Sequence, residues 1–179
     1  MNENILVIEY RNEVVEKIID ILKERHYNPI PTKSRSKGIE IANESSIDLI
    51  ILDADIGDSQ GLQLLETFKN EENTKWIPVI LLSTPYRKME FIEEAIGLGI
   101  DDLIFTPFDE MEFIASVNGA LKLKKLFVEN NKLIKQNNDI EEELNNIKEV
   151  SEGHYKSYKE AQKKYDDILN YDLETGLDN

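Results

Sequence analysis

Reactive side chains stand just past four apolar runs in this 179-residue chain. Glu9 follows Ile5-Leu6-Val7-Ile8, and Asp53 follows Asp48-Leu49-Ile50-Ile51-Leu52. Ser83 and Thr84 follow Pro78-Val79-Ile80-Leu81-Leu82, and Thr106 follows Leu103-Ile104-Phe105. Two carboxylates with hydroxyls close by make a site for a hard cation. A phosphoryl group could also be placed there, its oxygens held by a metal and by donors. A simpler role is open as well, because an Asp at a strand end often caps a turn or the next helix. Other chemistry is excluded by composition. There is no cysteine, hence no disulfide, thiol nucleophile or cysteine metal site, and two histidines, His26 and His154, cannot build a histidine-rich cluster.

The elements that must position these residues alternate. The four apolar runs read as buried strands. Between them, Glu13–Arg25 carries Val14, Ile18, Ile21 and Leu22 at helical spacing, and Gly61–Asn70 carries Leu62, Leu65 and Phe68. Ser36–Ser45 and Met89–Leu98 read as further helices, the latter with Gly99 as its C-cap, and Glu110 opens another after Pro107. Pro29-Ile30-Pro31 fits either a short edge strand or a loop. Strands alternating with helices over residues 1–117 predict an α/β fold, a doubly wound five-stranded parallel sheet. In such folds the functional residues sit at the carboxyl ends of the strands, where all four groups fall.

Acidic residues number 36 against 21 basic, a net charge of −15. That surface repels phosphates and disfavours a non-specific nucleic-acid binder. No apolar run is long enough for a membrane span, and the first residues lack the basic start and apolar stretch of a signal peptide. The expected class is an acidic, soluble, cytoplasmic protein. Residues 1–117 hold 23 acidic and 11 basic residues, a net of −12, and residues 118–179 hold 13 and 10, a net of −3. All five prolines lie in the first region. The second has the composition of a long helix.

The segments ILVIE at 5–9, DLIILD at 48–53, GLQLL at 61–65, IPVILLS at 77–83 and GIDDLIFTPF at 99–108 resemble, in order and spacing, the receiver domain of bacterial response regulators. The resemblance implies that Asp53 is the position that accepts a phosphoryl group from a histidine kinase or phosphotransfer protein. It implies that Ser83 contacts that group and shifts on activation. It implies that Mg²⁺ is held by Glu9, Asp53 and the backbone carbonyl of Asp55, and that the Thr106–Pro107 bond is cis. The chain departs from the family pattern in several places. The usual second acid is Tyr10, the usual lysine before the proline is Thr106, the aromatic switch residue is Leu103, and Ile56-Gly57 replaces Met-Pro. Loss of the lysine removes a point charge from the site, and Asp55 or Asp58 could help only by turning inward. The expectation is slow or absent phosphorylation of Asp53, with a competent receiver using Glu9 as the alternative.

From Leu123 onward the sequence has a seven-residue repeat. Leu126, Leu133, Ile140, Ile147, His154, Ala161 and Ile168 take position d, and Leu123, Asn130, Asn137, Leu144, Ser151, Tyr158, Tyr165 and Asp172 take position a. A seam sustained this long predicts a coiled coil over 118–171 and a homodimer, with Asn130 and Asn137 setting a parallel register. The polar layer around Ser151, Gly153 and His154 is its least secure part. His154 lacks the flanking motif of a kinase histidine and reads as a solvated or seam residue. Tyr155, Tyr158, Tyr165 and Tyr171 read as packing residues. Lys122, Lys124 and Lys125 read as a solvated face that could also pair with the acidic receiver-like region.

Residues 172–179 resemble the opening of GGDEF diguanylate cyclase domains through Asp172, Thr175, Gly176, Leu177 and Asn179. The resemblance implies a cyclase output beyond residue 179 and makes the chain the front end of a longer protein. This segment has no GTP site, so the chain itself is not expected to make cyclic di-GMP. A stand-alone dimeric adaptor built on a non-phosphorylated receiver is the alternative function. A small enzyme using Asp53 and Ser83 is a third, which lacks a complete general-base arrangement.

Overall fold

The structure is a computed structural model, and it describes residues 2–56 and 61–175. The elements run β1 (Asn4–Ile8), α1 (Asn12–Glu24), β2 (Asn28–Thr32), α2 (Arg35–Glu44), β3 (Leu49–Asp53), α3 (Gly61–Asn70), β4 (Val79–Ser83), α4 (Met89–Gly97), β5 (Asp102–Phe105) and α5 (Glu110–Thr175). The five strands form one parallel sheet in the order β2-β1-β3-β4-β5. The expected doubly wound α/β architecture is the one observed.

The apolar runs lack alternation because both faces of the sheet are covered. Successive residues of each strand enter opposite cores. Ile5, Val7, Leu49, Ile51, Ile80, Leu82 and Ile104 pack with Ile18 and Leu22 of α1 and with Phe113, Val117 and Leu121 of α5. Leu6, Ile8, Ile50, Leu52, Val79 and Leu81 pack against Ala42 of α2, Leu64, Leu65 and Phe68 of α3, and Ala95 of α4. Pro29 and Pro31 fall in β2, an edge strand, where a missing N–H leaves no second neighbour unserved.

Local chemistry sets the helix ends. Ser34 caps α2 by accepting from the Lys37 N–H, and Asp109 Oδ1 accepts from the N–H groups of Met111 and Glu112 at the start of α5. Helix α1 ends in a turn with His26 in the left-handed region, φ 63°, and the Tyr27 N–H donating to the Leu22 carbonyl. Gly61 meets the backbone of Ala54 so closely that a Cβ there would lie 2.6 Å from the Ala54 Cα. Only glycine lets α3 start against the loop that follows β3.

The chain divides into two units, Met1–Val128 and Glu129–Asn179. In the first unit, two of the three lysines at 122–125 are paired. Lys124 donates to the Ile47 carbonyl and pairs with Asp48 at 3.0 Å, and Lys125 pairs with Glu3. Trp76 stacks on Phe127 at 4.6 Å. In the second unit, helical through Thr175, the seam residues Leu133, Ile140, Leu144 and Ile147 are exposed, as are Tyr155, Tyr158 and Tyr165. His154 is exposed as well. Residues 176–179, part of the cyclase-like stretch, and Gly57 and Asp58 lie outside the described residues. No helix among the described residues is long and apolar enough to cross a membrane.

Candidate functional site

Parallel pairing puts the reactive groups together. Ile8 of β1 is in register with Leu52 of β3, so the next residues, Glu9 and Asp53, reach the same carboxyl edge of the sheet. This is the point from which the strand order runs outward in both directions, where such sheets leave a crevice. Ser83 ends β4 beside Asp53, and Thr106 follows β5. The Thr106 N–H and hydroxyl donate to the Ser83 carbonyl at 2.7 and 3.3 Å, and the Thr106–Pro107 peptide is cis. All four side chains are buried, Glu9 and Asp53 completely.

A fifth residue organises the site. Arg11 stands at the N-cap of α1, where its own side chain offers no capping oxygen. Its backbone N–H donates to Glu9 Oε1 at 2.8 Å. The guanidinium then folds back onto the same carboxylate, with Nε donating to Oε1 at 3.0 Å and Nη2 to Oε2 at 2.8 Å. Nη2 also reaches Asp53 Oδ1 at 3.3 Å, and Nη1 reaches Thr106 Oγ1 at 3.3 Å. The Asp55 N–H donates to Asp53 Oδ1 at 3.2 Å. Asp53 Oδ2 is buried without a partner. Beside the site, the Asp55 carboxylate pairs with Arg87, whose guanidinium lies 4.6 Å from the Phe91 ring centre.

The electrostatics follow from this count of charges. Burial pushes the Asp53 carboxyl up to about 7, and the nearby Glu9 charge pushes the same way, while Arg11 and Arg87 pull it down. The hydrogen bond to Glu9 holds the Arg11 guanidinium above its ordinary value against the opposing effect of burial. Two buried carboxylates thus share one guanidinium. Asp53 Oδ2 is left outside this network.

The family profile described as the response regulator receiver domain matches residues 5–118. The chain belongs to that family. Its receiver region is 27% identical over 122 residues to the phosphate regulon transcriptional regulatory protein PhoB of Klebsiella pneumoniae, an alignment covering 68% of this chain and 53% of that protein. It is 27% identical over 127 residues to the regulatory protein VanR of Enterococcus faecium, covering 71% and 53%. The chain therefore spans about half the length of the curated relatives it matches. Among solved structures, NtrX from Brucella abortus superposes with a TM-score of 0.66 at 25% identity, covering 74% of this chain and 30% of that one. A CheY-like response regulator receiver domain protein from Methanospirillum hungatei superposes at 0.64 and 17% identity, covering 70% and 98%, a likeness of fold.

Glu9, Asp53, Ser83 and Thr106 are brought to one edge of the receiver, as their places after the strands required. The sequence places no charge at Thr106; the structure adds a residue not singled out from the sequence, Arg11, whose guanidinium reaches this edge from the β1–α1 loop. Its signal in the sequence was an arginine two residues past Glu9, at a cap position that favours Ser, Thr, Asp or Asn. The possible inward help from Asp55 is also changed, because that side chain is held by Arg87. Tyr10, in the place of the second acid, is about half exposed and contributes no oxygen to the pair.

Receiver domains generally bind Mg²⁺ at this edge. The donor set here does not fit that ion as arranged. Both Glu9 oxygens are occupied by Arg11, and Asp53 Oδ1 is shared between Arg11 and the Asp55 N–H. Among the described residues, no three His, Cys, Asp or Glu side chains converge on a point that could hold a metal.

Proposed function

We propose that this chain is the regulatory input module of a two-component signalling protein, with Asp53 in the phosphoacceptor position and phosphorylation there slow or absent. The observation that carries the reading is the Arg11 guanidinium bound between Glu9 and Asp53. It neutralises the pocket in advance, and it pulls on Asp53 Oδ1 while Oδ2 alone stays free. Transfer from a histidine kinase or phosphotransfer protein would form a P–O bond at Oδ2 and break the donor's P–N bond, the leaving imidazole keeping the electron pair and taking a proton. Ser83 and Thr106 would face the new phosphoryl oxygens.

The receiver's state would pass through α5 into a parallel homodimeric coil. The heptad seam from Leu123 to Ile168 supports that step, because its apolar residues Leu133, Ile140, Leu144 and Ile147 are exposed among the described residues. A diguanylate cyclase output rests on the resemblance of residues 172–179. The named roles of the relatives lie in proteins twice as long as the shared segment and do not select the output. The adaptor reading draws on the same Arg11 geometry and differs in needing no phosphoryl transfer at all.

The test is incubation with acetyl phosphate or phosphoramidate and Mg²⁺, read by intact mass for the wild type and Asp53→Asn. A slow, substoichiometric adduct absent from Asp53→Asn is expected. No adduct at all favours the adaptor reading, and rapid stoichiometric labelling overturns the slow-or-absent assignment.

A further inference from the structure

We infer that Arg11 is the resident cation of the receiver's acidic edge, occupying the place between Glu9 and Asp53 where a divalent ion would otherwise sit, so that the site stays metal-free. The argument begins with occupancy. Arg11 Nη2 lies 2.8 Å from Glu9 Oε2 and 3.3 Å from Asp53 Oδ1, so one nitrogen bridges the two carboxylates. A Mg²⁺ ion needs near-octahedral oxygen ligands at about 2.0–2.1 Å and gives up its water reluctantly. To bind here it would have to break the two-point contact of the guanidinium with Glu9, the third bond from the Arg11 backbone N–H aside.

The second part is charge. A guanidinium stays protonated at all working pH values, so Arg11 cannot leave the site by giving up its proton as a lysine can. Displacing it would move a fixed positive charge off two buried carboxylates. The third part is anchorage. Arg11 is the N-cap residue of α1, and the carbonyl of Arg11 accepts from the N–H groups of Val14 and Val15. Its Cα cannot retreat without opening the first turn of the helix. The side chain is tied at its far end too, by Nη1 to Thr106 on the other side of the sheet edge. Two neighbours fit the same reading: Tyr10 stands where a second acid would add negative charge, and Thr106 accepts a hydrogen bond from the guanidinium.

The inference concerns metal binding and holds whether or not Asp53 accepts a phosphoryl group. The test is Mn²⁺ binding to the full chain, read by water-proton relaxation, with Mg²⁺-dependent thermal shift as a second readout. Arg11→Gln is the main variant because it keeps a hydrogen-bond donor and removes the charge; Arg11→Ala is the companion, and Arg11→Gln with Glu9→Gln locates the ion. The wild type should show no saturable binding in the low-millimolar range and no Mg²⁺-dependent rise in Tm. Arg11→Gln should bind Mn²⁺ at least about tenfold more tightly and gain Tm with Mg²⁺ by linkage. The double variant should lose that gain. Equal binding by wild type and Arg11→Gln overturns the inference, as does absence of binding in both arginine variants, or binding that survives Glu9→Gln.

Discussion

Asp53 carries the charge that this receiver can least easily hold. Its carboxyl is raised from 3.8 to about 7 by burial first and by Glu9 second. The folded protein therefore binds a proton there at a pH where the unfolded chain has released it. That proton-linked stabilisation is complete below pH 3.8 and is lost as pH rises through about 7. Asp53→Asn removes the charge and leaves Glu9 as the ion-pair partner of Arg11. At pH 8 the variant should unfold later than the wild type, by a few kcal/mol in urea titration. Its advantage should shrink steadily toward pH 4. An Asp53→Asn stability curve parallel to the wild type across that range would show that Asp53 does not titrate in this window.

At the scale of elements, the base of α5 is held to the receiver by contacts on the side of the sheet away from Asp53. Lys124 is the central one. Its ammonium donates to the Ile47 carbonyl at 2.6 Å and to Asp48 Oδ1 at 3.0 Å, while Asp48 Oδ2 accepts from the Asn4 N–H. One lysine thus ties α5 to the loop before β3 and, through Asp48, to the start of β1. Lys124→Met keeps the aliphatic stem and removes the charged donor. It should cost about 1–2 kcal/mol in chemical denaturation, since it leaves a carbonyl and a half-buried carboxylate less well paired. Salt should reduce the wild-type advantage only modestly, because this pair is mostly shielded from solvent. A neutral result would reduce the contact to an incidental surface pair.

At the scale of the whole molecule, the apolar seam of the second unit sets the expected assembly. Ile140 and Ile147 are each about 60% exposed in a single chain. A helix of this length with such a stripe is stabilised in water by burying it against a like partner. Sedimentation equilibrium should give a dimer. Ile140→Asp with Ile147→Asp should weaken it by at least about a hundredfold, because two charges would enter the seam. The receiver's own melting should be unchanged, since neither residue belongs to its cores. A wild-type chain that stays monomeric at high micromolar concentration would remove the coil from the signalling scheme.

The amino-acid sequence by itself determined the alternation of elements, because apolar runs of strand length and helical apolar spacing are local signals. It also placed Glu9, Asp53, Ser83 and Thr106, since a residue just past a buried parallel strand has one edge of the sheet to occupy. The ambiguous Pro29-Ile30-Pro31 needed the sheet, because an edge strand and a loop differ only in whether β1 is beside them. Arg11 needed it most. Thr106 lies 95 residues away from Arg11 along the chain and Asp53 lies 42 away, and nothing local in the sequence says that one guanidinium meets both. A positive charge reaches Thr106 and Asp53 from the β1–α1 loop. Only the tertiary structure decides this, because electrostatic compensation acts through distance in space and leaves no periodic trace along the chain.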